Sequence, residues 1–378
     1  MKTRKSLITN NIVSAFYLLL VGFLFYFFFF PDKLNVRFQS VLPANLHDPL
    51  SVRLAKVAVW ILVILILSRL YHTNFVKRKC SERVSGIGLS VLTTIIMLIF
   101  FEIGFMFFPQ THGVATTKAS ALWVDKYYKP VNSLGYRDKE PDLNTQKKVI
   151  LFVGDSFTAG YGNDDVKDRF SDMFYSRLDT SVYEVYNLGV PGIDTRGEEK
   201  RLREFPLKPD VIILAYFFND IEVAAAEHGF KVEVPMLYEG VPAPFRVLVD
   251  RLYFPNFIYW HLPGKDGGLL DQFLCKTYKD PVILQAHLDD LLKIIEYKEE
   301  TRAWMITAMI PFLPDLDYSV QFTKPVADFL EKNGVTVVNF EEEIAQLAPA
   351  ERIVNKTDSH SSVKTNEIIA RKLLQVMQ

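Results

Sequence analysis

The sequence predicts an α/β protein, a parallel sheet with helices on both faces, preceded by three membrane-spanning helices. Three observations lead there. After residue 148, short apolar runs alternate with amphipathic stretches, the pattern of strands joined by helical crossovers. Before residue 109 the chain carries three long apolar segments. The charge divides at the same place: up to residue 112 there are 12 Lys and Arg against 4 Asp and Glu, a net +8, and the remainder carries −9 to give −1 for all 378 residues.

The spans are expected at residues 12–30, 50–71 and 87–108, since a bilayer core of about 30 Å needs roughly 20 helical residues. The second is crossed only if Arg53, Lys56 and Arg69 snorkel to the interfaces. The first begins "MKTRK" and ends "FFFFPDK" without a small-residue cleavage site, so it reads as a retained anchor and not a signal peptide. Lys2, Arg4 and Lys5 precede it, and "KRKCSER" (Lys77 to Arg83) separates the second and third. Basic loops stay in the cytoplasm, which puts the N-terminus inside and everything after Phe108 outside. Glu102, within the third span, is expected to pair with Lys56 or Arg53, the alternative being a docking point for a partner membrane protein. Cys80 and Cys275 then lie on opposite sides and cannot pair. No zinc spacing, phosphate loop or dinucleotide fingerprint occurs, so no metal or cofactor is expected, and no basic patch suggests nucleic acid.

Residues 109–147 read as a tether with an ordered lead-in from "VNSLGYRD" (Val131 to Asp138), and 148–378 as the alternating domain. Strands are expected at Val149–Val153, Val182–Tyr186, Val211–Tyr216, Trp304–Ile310 and Val335–Phe340. Helices are expected at Arg169–Leu178, Arg196–Phe205, Val282–Tyr297, Pro325–Lys332 and about Val363–Met377. Thr195 and Glu198 have capping-box spacing. Residues 221–280 form an aromatic-rich insertion, too long for a simple connection: a cap over the site, a lipid-touching surface or an extra helix on the core.

"VILFVGDSFTAGYGND" (149–164) runs from a buried strand into Gly154, Asp155 and Ser156. Carboxyl ends of parallel strands are where such sheets hold ligands, and a hydroxyl presented there needs a base, an orienting acid and oxyanion donors to act as a nucleophile. In "NKTDSHSSVKTNEIIARKL" His360 has Asp358 two residues before it; among the histidines of the alternating domain only this one has a carboxylate so close in a helix-entry loop. Read alone, Asp-Ser-His-Ser is equally a helix cap. "NLGVPGIDT" places Gly192 after the second strand and "YFFND" places Asn219 after the third, both suited to donate to a developing oxyanion.

Together these blocks resemble the SGNH/GDSL hydrolase family: Gly154-Asp155-Ser156 with Phe157, then Gly192, then Asn219-Asp220, then Asp358 and His360. "NSLGYRD" is similar to a segment found ahead of the first block in membrane-anchored members. The resemblance, over about 131–378, implies a three-layer α/β/α flavodoxin-like sandwich. It makes Ser156 the nucleophile, His360 the base and Asp358 its orienting acid, with Ser156, Gly192 and Asn219 forming the oxyanion hole. Phe217 stands where the family's third block usually opens with glycine, and Ser361 follows the histidine where proline is usual.

The function expected is a membrane-anchored serine esterase that removes acyl groups from an extracytoplasmic glycan or lipid through an acyl-serine intermediate. An O-acyltransferase using the same triad on an envelope polysaccharide is the first alternative, and a non-catalytic binding component of a membrane assembly the second. Asn355-Lys356-Thr357 fits a glycosylation sequence, but a glycan beside Asp358 would obstruct the site; the reading is a periplasm-facing protein of a bacterial cytoplasmic membrane.

Overall fold

The computed structural model of the protein describes residues 48–113, 117–231, 242–262 and 269–377, with Leu19 and Gly22. The expected first span, 12–30, otherwise lies outside the described residues. The chain divides into two compact units. Of the described residues from 48 onward, the first unit takes those up to 110, 117–122 and 242–262, and the second takes 111–113, 123–231 and 269–377.

In the first unit the helices Leu50–Tyr71 and Glu82–Phe105 are long and apolar enough to cross a bilayer. The second starts five residues before the expected span because its polar first turn, after Ser81, extends the helix beyond the apolar run. Arg53, Lys56, Val59, Val63 and Ile66 recur every three or four residues, so they share one face, and Val59 and Val63 pack with Ile99. Leu50, Leu54, Ile61 and Leu65 face outward.

Glu102 is buried, but its partner is neither cation expected for it. Its two carboxylate oxygens accept hydrogen bonds from the backbone N–H groups of Tyr253 (2.9 Å) and Phe254 (2.8 Å), which open the insertion helix Tyr253–Trp260. The first N–H groups of a helix have no partner within it, so a carboxylate there satisfies two donors at once and meets the positive end of the helix dipole. Lys56 pairs instead with Asp48 (2.6 Å), which also accepts from the Tyr253 hydroxyl (2.8 Å). Arg53 donates to the Met106 carbonyl (3.1 Å). Both cations thus find protein partners within the first unit.

The stretch expected as a tether contains the helix Lys118–Tyr127. Thr117 and Ser120 start it by capping each other, the Thr117 N–H bonding Ser120 Oγ (2.7 Å) and the Ser120 N–H bonding Thr117 Oγ1 (3.0 Å).

The second unit is built on five parallel strands, β1 (Lys148–Gly154), β2 (Tyr183–Asn187), β3 (Val211–Tyr216), β4 (Trp304–Met309) and β5 (Thr336–Val338), in the order β2-β1-β3-β4-β5. Ile150 to Val153 and Ile212 to Tyr216 are fully buried, which explains their unbroken apolar runs. Parallel neighbours need crossovers, and the helices Thr195–Glu204, Pro281–Thr301 and Leu316–Lys332 lie in those connections. A short antiparallel pair, β6 (Ile353–Asn355) and β7 (Asp358–Ser361), precedes the last helix, Val363–Met377.

Two local expectations change. Asp194, not Thr195, caps Thr195–Glu204, accepting from the N–H groups of Arg196 and Gly197, while Glu198 turns inward and is fully buried. The helix expected from Pro325 begins at Leu316 and runs through the proline. Its buried residues Leu316, Ser319, Phe322, Thr323, Val326 and Leu330 keep one face across Pro325, so packing outweighs the backbone bond that proline removes.

Replacing Glu102 with Gln leaves one of the two helix-opening N–H groups without an acceptor. Glu102→Gln is expected to destabilise the first unit by about 1–3 kcal/mol, the cost of an unsatisfied buried donor. An unchanged melting temperature of the detergent-solubilised protein would show that these bonds do not hold the insertion helix.

Candidate active site

Ser156 sits at the end of β1, between β2 and β3. In a sheet of this order the chain leaves β1 toward β2 and then returns to build β3 on the other side, opening a crevice at the carboxyl ends of β1 and β3. A turn tight enough to begin a helix at once requires Gly154. A Cβ there would lie 2.2 Å from Thr158 Oγ1 and 2.9 Å from the Ala215 carbonyl, distances no side chain tolerates. Asp155 caps the four-residue helix Ser156–Ala159, its Oδ1 accepting from the Phe157 N–H (2.8 Å).

His360, on β7, brings its Nε2 to 2.7 Å from Ser156 Oγ. Its Nδ1 is 2.5 Å from Asp358 Oδ1, which also accepts from the His360 N–H (3.1 Å). Asp358 therefore serves the imidazole and not the following helix, which Ser362 caps through the Thr365 N–H (3.2 Å). The pair belongs to a hairpin rather than the expected helix-entry loop. Asn355 makes its turn, Oδ1 accepting from the N–H and hydroxyl of Thr357 (both 2.9 Å).

Burial disfavours the charged imidazole, but the Asp358 carboxylate outweighs it, so the His360 pKa lies above the ordinary value. Burial likewise works against ionised Asp358, yet the charge and hydrogen bond of His360 hold its pKa below the usual carboxylate range. The rings of Phe157 (4.8 Å) and Tyr161 (5.2 Å) wall the imidazole. Phe217 packs against Phe157, the ring centroids 4.5 Å apart and the planes tilted by 42°.

Asn219 and Gly192 follow β3 and β2. Gly192 has φ +76° and open space where a Cβ would be. Asn219 is half-buried; burial raises the Asp155 carboxyl above the ordinary range, and the Phe157 N–H, His360 and the Asn219 side chain work against that rise.

Sequence reasoning missed three groups behind these residues. Arg137 of "NSLGYRD" is fully buried and donates to the carbonyls of Tyr127, Gly160 and Asn163, each at 2.8 Å, tying the lead-in to the loop after Ser156. Its fixed fork of donors suits several carbonyls at once. Glu198 and Asp220 are also fully buried. Burial, reinforced for Glu198 by Asp155 and Asp194 and for Asp220 by Glu198 and Asp155, pushes both carboxyls well above the ordinary range.

The third group is a chain of buried hydrogen bonds. Tyr278 donates to the Phe218 carbonyl (2.7 Å), which can only accept. The Tyr278 oxygen must then accept from Tyr216 (2.6 Å), and Tyr216, its proton spent, must accept from His287 Nε2 (3.0 Å). That assigns His287 the neutral Nε2–H tautomer, in agreement with burial, which pushes its pKa down to about 3. A buried neutral histidine was visible in the sequence only as one of several candidates for the base.

No family model matches the chain, and no curated protein matches it in sequence. Solved structures similar to it include the psychrotrophic esterase EstA from Pseudoalteromonas sp. (14% identity, 61% of this chain and 97% of that one, TM-score 0.38). Another is a member of the lipolytic protein G-D-S-L family from Veillonella parvula (15%, 61% and 97%, 0.37). A third is Axe2, an acetylxylan esterase from Geobacillus stearothermophilus (14%, 60% and 93%, 0.38).

Histidine NMR should separate the two imidazoles. His360 is expected to titrate above 6.5 and, in Asp358→Asn, to fall, because the burial that lowers its pKa is then opposed only by Asp155. His287 should stay neutral wherever the protein is folded. A His360 pKa indifferent to Asp358 would contradict the coupling described.

Proposed function

We propose that the protein is a membrane-anchored serine esterase of the SGNH type, acting on ester-linked acyl groups of an extracytoplasmic glycan or lipid. The observation that carries this is the line from Ser156 Oγ to His360 Nε2 (2.7 Å) and from His360 Nδ1 to Asp358 (2.5 Å). A binding module has no use for a hydroxyl, an imidazole and a carboxylate in this order, whereas acyl transfer requires them.

In this reading His360 Nε2 takes the Ser156 proton as Oγ attacks the ester carbonyl. Asp358 holds the proton-bearing Nδ1 and stabilises the imidazolium. The N–H groups of Ser156 and Gly192 and the Asn219 amide receive the oxyanion. The imidazolium then protonates the departing alcohol oxygen, leaving acyl-Ser156. Water, deprotonated by His360, releases the carboxylic acid and restores the serine.

Membrane anchoring is supported by the two long apolar helices of the first unit. The basic "KRKCSER" between them supports a cytoplasmic turn, which sends the second unit to the opposite side. A cysteine introduced at Val131, exposed on the second unit, should react with an impermeant thiol reagent on intact spheroplasts. Reaction only after lysis would reverse the topology and remove the envelope substrate.

Ser156→Ala and His360→Ala are each expected to reduce aryl-ester hydrolysis by several orders of magnitude, with the double variant hardly worse, because nucleophile and base act as one unit. Asn219→Ala should cost about 10²–10³-fold in kcat with little change in KM, the scale of one oxyanion donor. The base must be neutral, so kcat/KM should rise with pH through the raised His360 pKa, above 6.5. Additive losses from the two alanine variants, or an acidic limb below that value, would count against the triad.

A further inference from the structure

The insertion contributes two helices to the first unit, Ala243–Arg251 and Tyr253–Trp260, separated only by Leu252. The second is fixed to the Glu82–Phe105 helix on one side. Glu102 accepts both of its opening N–H groups. Phe254 lies against Phe101 (5.1 Å) and Phe105 (5.3 Å), and Phe257 lies against Phe105 (4.5 Å) and Phe108 (5.7 Å).

A strip flanking that packed face is apolar and open. Ile258 and Leu262 are 44% and 49% exposed, and on the Ala243–Arg251 helix Phe245 is 60% exposed, with Val247 and Leu248 close to 40%. Soluble surfaces scatter such residues singly, and a contiguous group marks a partner. Depth identifies which one. Glu102 stands three residues before the end of the Glu82–Phe105 helix, about 4.5 Å along its axis at 1.5 Å per residue. Phe100, two residues earlier, is itself 63% exposed, and Phe107 and Phe108 beyond it remain open. Backbone bonds to Glu102 therefore hold the Tyr253–Trp260 helix level with a stretch of span whose own outward residues are apolar.

We propose that the 243–262 helix pair lies in the bilayer, at the boundary between acyl chains and headgroups, with Phe245, Leu248, Ile258 and Leu262 in contact with lipid chains. Apolar helical faces lie in the interface in this way, and Arg246, exposed among these residues, reaches the headgroups. The occupant is lipid and not a second protein because the open face is continuous in depth with the exposed apolar face of the span. The inference rests on the reading that the Glu82–Phe105 helix crosses the membrane. It makes residues 243–262 of the insertion a membrane-bound element and not a soluble cap.

The test is site-directed spin labelling of the full-length chain in proteoliposomes, with Cys80 and Cys275 replaced by serine. Single cysteines are placed at Phe245, Leu248, Ile258 and Leu262, each already exposed, so the label displaces no core. Collision with molecular oxygen, which concentrates in lipid, is compared with collision with a water-soluble nickel chelate. Positions Leu98 and Phe100 report the span and Glu331 reports water. The expected result is oxygen dominance at all four sites, as at Leu98 and Phe100. Nickel dominance at the four sites, with oxygen dominance retained at Leu98 and Phe100, overturns the proposal while leaving the span intact. Low collision with both reagents means a protein covers the face and also overturns it. Nickel dominance at Leu98 and Phe100 means that the membrane reading itself has failed.

Discussion

The closure of β1, β3 and the first helical turn onto one another at Gly154 is the constraint on which the rest of the candidate site depends. With 2.2 Å between a would-be Cβ and Thr158 Oγ1, only glycine lets the chain turn there, and the turn puts Ser156 at the mouth of the β1/β3 crevice. It also buries Asp155 beside Glu198 and Asp220. Three ionised carboxylates without water would repel one another and forfeit their hydration, a cost of several kcal/mol per ion. Burial raises the pKa of all three, and donors decide how far. Asp155 has the Phe157 N–H and the opposite charge of His360, whereas neither oxygen of Glu198 has a hydrogen-bond partner. Glu198 and, with one oxygen unpartnered, Asp220 are the members driven furthest toward their protonated forms.

Much of this was legible in the sequence because its cause is local. The five strands are runs of apolar residues, and Val211–Tyr216 has the observed bounds since burial on both faces leaves no polar residue inside it. Ser156, Asp358 and His360 could be named because the turn glycine and the short Asp-to-His spacing are consequences of the geometry that brings them together. What failed was decided at a distance. Proline signals a helix start by its own backbone, but at Pro325 the packing of Phe322 and Val326 carries the helix through. Arg137 looks like an ordinary charged residue until the loop carbonyls it holds are brought to it by the fold.

Glu102 shows the same limit. A carboxylate in an apolar run demands a partner, and Lys56 and Arg53, which begin the neighbouring span on the same outer side, were the cations expected for it. The partner is backbone, 151 residues away in the chain. Two amide donors at a helix start satisfy both oxygens without importing another charge, and removing an ion from water is repaid best where all its hydrogen bonds are made. Lys56 and Asp48 form a separate pair, so the first unit contains two polar solutions where the sequence suggested one.

The chain from His287 through Tyr216 and Tyr278 bears on the oxyanion reading through its direction as well as its contacts. It ends on the Phe218 carbonyl, whose peptide plane carries the N–H of Asn219, so fixing that carbonyl fixes the plane from which the Asn219 side chain departs. On the other side Asp220 accepts from the Phe217 N–H (3.1 Å), and the loop is held at both ends. A donor aimed in advance at a developing negative charge spends nothing on reorientation, but the charge is disfavoured if the support beneath it is also negative. His287 is neutral, the tyrosines keep their protons, and Glu198 and Asp220 are driven toward their protonated forms. The His287–Tyr216–Tyr278 chain behind Asn219 is thus held by hydrogen bonds and uncharged, which suits the oxyanion role proposed for Asn219, and Asp155 is the carboxylate its side chain meets.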